Sequence, residues 1–430
     1  MSFSAATAYY LLMKILVLNS GSSSEKCCVH EISGKVPVLA PQPLWKADIE
    51  WSGAGSGLGG AGTANLEITD GSGSLRKESL PIESRRQALE RLLNSVREGP
   101  AAAVSSLSEI GVVGHRVVHG GAKFVAPVIV TASVKNGIRE LAAFAPLHNR
   151  AELEGMEVVE SLLGTVPQVA VFDTAFHHGL PQAAAVYPGP YSWWENGIRR
   201  YGFHGINHQY CAERAAQLLK SDAAAGLKLV SCHLGNGCSL AAIDAGRSVD
   251  TTMGFTPLEG LMMGTRSGSI DPAIVTYVIR QQGSTPDEVD HILNEQSGLL
   301  GISGISSDMR EILSATKSGN SRAQLAFDIF IHRLKTGIGA MIAALGGIDA
   351  LIFTAGMGEH SPDVRAAACN GWGYLGLSID AGKNLVSPVD ADISAENSGV
   401  RVLVIRAQED WAIARFCWAL ISANGKAADT

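Results

Sequence analysis

The sequence predicts an α/β protein built as two related lobes. Candidate strands alternate with candidate helices along the chain, the pattern of helices packed on a mixed or parallel sheet. The 430 residues exceed what one hydrophobic core usually supports, so two domains are expected. A strand, small-residue turn, strand arrangement occurs at 14–32 and again at 228–243, and two copies half a chain apart argue for an internal duplication.

The first copy opens with an apolar strand at 14–18, passes through Asn19-Ser20-Gly21-Ser22-Ser23-Ser24 and returns along 26–32. Residues 1–12 read as an extension ahead of it. They have the apolar look of a secretion signal, but no basic segment leads them and Lys14 interrupts the run. Residues 51–74 are rich in glycine and serine and contain Gly55-Ser56-Gly57-Leu58-Gly59-Gly60, which has the form of a dinucleotide fingerprint. With no strand legible before it and no helix after it, this segment reads as a surface loop.

Helical periodicity covers 83–98, a strand follows at 109–118, and helices interrupted near Pro146 fill 132–163. A strand at 168–172 delivers Asp173, and a helix spans 207–220. The second copy holds Asn236-Gly237 between two alternating apolar runs, the strongest short-range hairpin signal. Helices are expected at 271–281, 286–296, 308–317 and 320–345. A strand at 349–354 enters Ala355-Gly356-Met357-Gly358-Glu359-His360, a last strand occupies 401–405, and Glu409 opens a helix ending near Gly425. The expected first lobe is 1–175 completed by 408–430, and the expected second lobe is 176–407.

Composition narrows the function. Apolar content of 46% and charged content of 17% describe an ordinary globular protein. A net charge of −7, with 34 basic residues spread evenly, argues against a nucleic-acid or anionic-membrane surface. It leaves room for an anionic small substrate held by a few arginines. Seven cysteines, without a Cys-x-x-Cys pair, read as small buried hydrophobes in a reducing cytoplasm. No apolar run reaches membrane-spanning length.

The chain has no Gly-x-x-x-x-Gly-Lys-Ser/Thr loop and no Gly-x-Ser-x-Gly elbow. His204 and His208 stand four apart, suiting one helix face, but without a Glu partner or third ligand a zinc site is set aside. What remains is a set of polar residues at strand ends and in glycine turns: Asn19, Arg116, Asp173, His204, Arg266 and Glu409. Arg266 sits in Gly264-Thr265-Arg266-Ser267-Gly268, where glycines let backbone approach an anion and a guanidinium offers planar donors. In α/β folds ligands bind at the carboxyl ends of strands. Two arginines, a histidine, two carboxylates and phosphate-sized turns are the parts that phosphoryl transfer needs.

NSGSSSEK, GHRVVHGG, FAPLHN, VFDTAFH, RRYGFHG, HLGNGCS, MGFTPLEGLMMGTRSGSIDP, SGLLGISGISSDMR and FTAGMGEHS stand in the order found in acetate kinases, and the chain resembles that family from 13 to 421. The resemblance implies two duplicated actin-like, ribonuclease H-like lobes of the acetate and sugar kinase, heat-shock protein and actin superfamily, with a nucleotide cleft between them. It implies a cytoplasmic homodimer that makes acetyl phosphate and ADP from acetate and ATP, reversibly, with Mg²⁺ or Mn²⁺. Asn19 and Glu409 match the metal-holding positions, and Arg116 the arginine that binds the substrate carboxylate. Asp173 matches the active-site aspartate, read here as an orienting and electrostatic group. His204 and Arg266 match the transition-state stabilisers. Lys26, the turn His233, Leu234, Gly235, Asn236, Gly237, the segment Asp308, Met309, Arg310 and the turn Gly356, Met357, Gly358, Glu359, His360 match the ATP contacts. Val118, Leu147, Phe203 and Pro257 match the small acyl pocket.

The chain departs from the family pattern at Gly205-Ile206-Asn207-His208, at Gly358-Glu359-His360, at Ala407-Gln408-Glu409-Asp410 and at Arg150. Alternatives are a propionate or other short-chain acyl kinase, a butyrate-type kinase, and a non-catalytic actin-like nucleotide switch. Pro257 and its FTPLEG context count against the second. Arg116, His204, Asp173 and Arg266 count against the third, because a switch needs no clamp for an acyl anion.

Overall fold

The computed structural model describes residues 12–20, 24–52, 62–99, 102–142, 146–221, 226–386 and 389–428, except the side chains of 146, 147 and 424–428. The chain divides into two compact units, Met1–Ala175 with Gln408–Thr430 and Phe176–Ala407.

In the first unit the described strands are β1 (Leu12–Ser20), β2 (Ser24–Ser33), β3 (Trp45–Ser52), β4 (Gly62–Asp70), β5 (Leu75–Ile82), β6 (Ile110–Val117), β7 (Val128–Ile129) and β8 (Gln168–Phe172). They form one sheet in the order β5-β4-β3-β2-β1-β6-β8-β7. β1 to β5 make an antiparallel meander, and β6 and β8 run parallel to β1 through helical crossovers. β1 is a continuous apolar run because both its faces are covered. Leu16 and Leu18 join Trp45, Leu66, Leu89, Leu92 and Val158 in a core beneath helices Arg85–Ser95 and Pro146–Leu163. Helix Glu409–Ala428 packs against β1 and β6. Gly114 permits that approach, since a Cβ there would lie 2.6 Å from both Cys417 Sγ and Ile413 Cγ2.

In the second unit the described strands are β9 (Lys228–Leu234), β10 (Cys238–Asp244), β11 (Arg247–Thr251), β12 (Ala350–Thr354), β13 (Ala391–Asp392) and β14 (Arg401–Val404). Their order is β11-β10-β9-β12-β14-β13, with β9 to β11 antiparallel and β12 and β14 parallel to β9. Strand for strand this repeats β3-β2-β1-β6-β8-β7, short antiparallel edge strand included. The duplication glimpsed in two hairpins extends through both sheets.

One expectation is overturned. The glycine-rich stretch 51–74 is not a loop throughout: β3 runs to Ser52, and β4 occupies Gly62–Asp70 as an inner strand of the sheet. Ala64, Leu66 and Ile68 are buried at period two, and that alternation was masked by the surrounding glycine and serine. A strand therefore does precede the fingerprint-like segment, which itself lies outside the described residues. β4 and β5 are the addition that makes the first sheet wider than the second.

Candidate active site

β1, β6 and β8 are parallel, so their carboxyl ends present Asn19, Arg116 and Asp173 along one edge of the first sheet. Arg116 Nη2 donates to Asp173 Oδ2 at 2.5 Å and Nη1 to Asn19 Oδ1 at 3.4 Å. Asn19 Nδ2 donates in turn to Glu409 Oε2 at 3.2 Å and Asp410 Oδ1 at 3.4 Å. Four residues singled out from sequence thus form one network. Lys26 is exposed on β2, paired in register with Asn19, and its charge acts on Glu409.

The network is electrostatically loaded. Burial pushes the Glu409 carboxyl upward, Arg116 pulls it back, and the nearby Asp173 charge adds to the rise. Burial raises Asp410 too, with Glu409 as the next cause. Burial works against the Arg116 guanidinium, but Asp173 and Glu409 outweigh it and keep it charged. Asp173 Oδ1 and Arg116 Nε are buried without a hydrogen-bond partner. Orphaned polar atoms at such a place are what a bound ligand satisfies.

The donor set fits a hard divalent cation. Asn19, Asp173, Glu409 and Asp410 offer only oxygens for a metal, and burial raises the Glu409 and Asp410 carboxyls, a cost that a bound cation would offset. Among the described residues no three His, Cys, Asp or Glu side chains form a metal cage. A magnesium-type ion needs only one or two carboxylates, with water and phosphate completing its shell.

In the second unit, the β9–β10 hairpin closes through Gly235 N–H donating to Gly237 O at 3.0 Å. Asn236 rests on Gly264: a Cβ there would lie 2.0 Å from Asn236 Oδ1, and Gly264 N–H donates to Asn236 O at 3.0 Å. The hairpin is thereby tied to the loop carrying Arg266, which is pinned from below by Leu299 N–H on Met263 O and Leu300 N–H on Gly264 O. A Cβ on Gly237 would come within 3.4 Å of Arg266 Nη1 and 3.5 Å of His204 Nε2, so the turn and the two expected stabilisers converge.

His204 caps helix Gly205–Leu218 in a left-handed conformation, φ 56° and ψ 23°, which a non-glycine residue adopts at a cost. Its ring stacks on His233 with centroids 3.9 Å apart and planes 9° from parallel. Asn207, one of the departures from the family pattern, donates to His233 Nδ1 at 2.8 Å.

A cavity of about 560 Å³, the size of a small-ligand pocket, is lined by Gly235, Asn236, Asp308, Met309, Arg310, Gly356, Met357 and His360 together with Ser307, Leu313, Ser361, Pro362 and Asp363. All three expected ATP segments reach it. Leu234 and Gly358 are buried and do not line it. Glu359 is also turned away: its carboxylate accepts the Ala407 N–H at 2.8 Å.

The expected acyl-pocket residues fall in both units. In the first, Val118 is buried and its N–H donates to Glu152 Oε1 at 3.0 Å, while the side chain of Leu147 lies outside the described residues. In the second, Phe203 is buried, and the Pro257 carbonyl accepts from Arg266 Nη1 at 3.5 Å. Tyr187 and Arg200 hold Glu259, two residues beyond Pro257, through charged hydrogen bonds.

Sequence reasoning missed Glu152, Asp410 and the Ser361–Asp363 corner of the cavity. Asp410 had a signal as the carboxylate next to Glu409. Glu152, mid-helix among other glutamates, had none.

The acetokinase family model matches residues 14–415. The acetate kinase of Cyanothece sp. is 55% identical over 414 residues, covering 96% of this chain and 100% of its own. That of Gloeobacter violaceus is 56% identical over 408 residues, covering 94% and 99%. Among solved structures, Porphyromonas gingivalis acetate kinase superposes with a TM-score of 0.85 at 37% identity, covering 95% of this chain and 100% of its own. A propionate kinase from Francisella tularensis gives 0.84 at 36% identity, covering 95% and 99%. The chain belongs to the acetokinase family and has its duplicated, actin-like fold.

Proposed function

We propose that this member of the acetokinase family transfers the γ-phosphoryl group of ATP reversibly to the carboxylate of acetate, giving acetyl phosphate and ADP. The observation that carries the reading is the half-buried Arg116–Asp173–Asn19–Glu409 network with its buried, unfilled polar atoms on Arg116 and Asp173. A guanidinium already braced by one carboxylate is suited to take a second planar carboxylate as ligand.

Acetate arrives as an anion with no proton to give at neutral pH, so no general base is required. Arg116 orients its carboxylate, and Asp173 holds Arg116 in place. An acetate oxygen forms the new bond to the γ-phosphorus as the bond to the β-bridging oxygen breaks, and ADP leaves. Arg266 and His204 meet the charge of the phosphoryl in flight, and the Gly235–Gly237 turn supports the phosphates through its backbone. The cavity bordered by Arg310, Met357 and His360 takes the nucleoside. Asn19 and Glu409 would hold Mg²⁺, with Mn²⁺ as a substitute, and the bound ion supplies charge neutralisation on the phosphate oxygens.

Propionate is the second reading, favoured by the propionate kinase among the similar structures and by the ~1–3 kcal/mol that one methylene changes. A homodimer is supported by helix Pro272–Gln282, which buries none of its 11 residues yet exposes Ile274 and Tyr277. Seven free, buried cysteines suit a reducing cytoplasm. Hydroxylamine trapping of acyl phosphate, with acetate, propionate and butyrate in parallel, tests the proposal. Acetate should give the highest kcat/KM; no acyl phosphate from any acid would sink the enzyme reading.

A further inference from the structure

His204 turns one ring nitrogen toward the hairpin and buries the other. Nε2 is the atom that a Cβ on Gly237 would meet at 3.5 Å, whereas Nδ1 lies 2.9 Å from Ser239 Oγ. The line continues inward. Ser239 Oγ is 2.7 Å from His208 Nε2, and His208 Nδ1 is 2.9 Å from Ser231 Oγ. Ser231, His208 and Ser239 have no solvent exposure, so bulk water does not compete for these bonds. Stacking on His233 fixes the plane of the His204 ring.

The hydrogens on this line can be counted. Each hydroxyl and each neutral imidazole carries one. His208 is neutral at physiological pH, because burial and then His177 and His233 hold its pKa well below the ordinary value. With His204 neutral as well, four groups with one hydrogen each and three bonds between them leave three arrangements: every bond outward, every bond inward, or Ser239 accepting from both rings, which is costly because it strands the Ser239 hydrogen in the core without an acceptor. Pointing outward, Ser231 donates to His208 Nδ1, His208 Nε2–H to Ser239, and Ser239 to His204 Nδ1. His204 then carries its hydrogen on Nε2, facing the hairpin turn. Pointing inward, the hydrogen sits on Nδ1 and a bare lone pair faces the turn, which would repel an anionic phosphoryl.

We infer that Ser231, His208 and Ser239 are positioning residues that fix His204 as the Nε2–H tautomer, so that a neutral ring can donate to the transferred group. The inference rests on the reading of His204 as the group that meets the phosphoryl. A buried partner on the inner nitrogen sets the tautomer of a catalytic histidine in other enzymes, there with a carboxylate and here with a hydroxyl relay.

The test is a double-mutant cycle of Ser239→Ala and His204→Ala, with kcat and both KM values measured for each form. Ser239→Ala should lower kcat by about 10–100-fold, the usual cost of losing an orienting partner. KM for acetate and for ATP should move by less than about two-fold, and the same substitution in the His204→Ala background should change kcat by less than about two-fold. Full additivity would overturn the relay, because its effect would not pass through His204. A His204→Ala enzyme of near wild-type kcat would instead remove the catalytic reading of His204. Nitrogen-15 spectra of the wild-type protein, with the His204 signals identified by their loss in His204→Gln, test the tautomer without depending on any Ser239 variant. The hydrogen should be on Nε2, and a hydrogen on Nδ1 alone at neutral pH overturns the proposal whatever the kinetics.

Discussion

The two units share one strand order and present different chemistry at equivalent strand ends. Where β1, β6 and β8 end, the first unit offers the side chains of Asn19, Arg116 and Asp173, an amide and two opposite charges. Where β9 and β12 end, the second offers Gly235–Gly237 and the short helix Ala355–His360, which are mostly backbone. The difference follows from the ligands proposed for each. A two-oxygen acid is recognised by a few directional charges, whereas a polyphosphate needs backbone N–H groups at close approach, hence glycine. Loss of a charged side chain at these strand ends of the first unit should disturb charge balance and stability together, whereas loss of the Arg266 charge in the second should disturb turnover with stability spared.

Arg266→Ala is the most severe test. Loss of a cation at the in-flight phosphoryl should lower kcat by at least ~10³ while the urea midpoint barely moves. Near wild-type turnover would show that the hairpin and its loop do not face the reacting group. Arg116→Leu should do both kinds of damage. Acetate KM should rise steeply, and about 3–5 kcal/mol of stability should go, because Asp173 is left buried without its partner. Chemical denaturation alongside kinetics measures the two effects separately; unchanged stability would contradict the contrast between the units.

The repeated hairpin was legible because Asn-Gly and strict alternation are local signals, and Arg116, Asp173 and Glu409 because they stand at the ends of apolar runs. β4 was not legible, since its three buried residues, Ala64, Leu66 and Ile68, sit beside a glycine-rich segment whose composition mimics a linker. Ser239 and Glu152 owe their significance to neighbours 35 and 34 residues away, and only the fold makes those contacts. Glu359 illustrates the converse: it lies inside a recognisable turn, yet its side chain serves Ala407.

Glu152 sharpens the electrostatic half of the comparison. Burial raises its carboxyl from 4.5 to about 8, with Arg116 opposing. Between those values the folded chain holds a proton that the unfolded chain releases, so this contribution to stability is complete below the lower pH and is lost as pH rises through the upper. The decline is at most about 1.4 kcal/mol per pH unit. Glu152→Gln keeps an acceptor for the Val118 N–H and removes the titration, so the variant should gain on wild type as pH rises from about 5 to about 8. Parallel pH profiles of Tm for the two proteins would show that the site compensates the buried charge.

The mildest prediction sets two glycines of the second unit against each other. At Gly264 a methyl would collide with Asn236, whose backbone and side chain tie the hairpin to the Arg266 loop, so Gly264→Ala should cost about 1–3 kcal/mol and slow turnover. At Gly356 a Cβ meets nothing within 4 Å and the residue is exposed in a short helix, so Gly356→Ala should leave stability within about 0.5 kcal/mol of wild type. The space that the methyl enters borders the cavity assigned to the nucleoside. ATP KM should therefore rise several-fold with acetate KM unchanged. An unchanged ATP KM would mean that the nucleotide does not pass over this turn, and the backbone-based half of the comparison would have to be drawn from the β9–β10 hairpin alone.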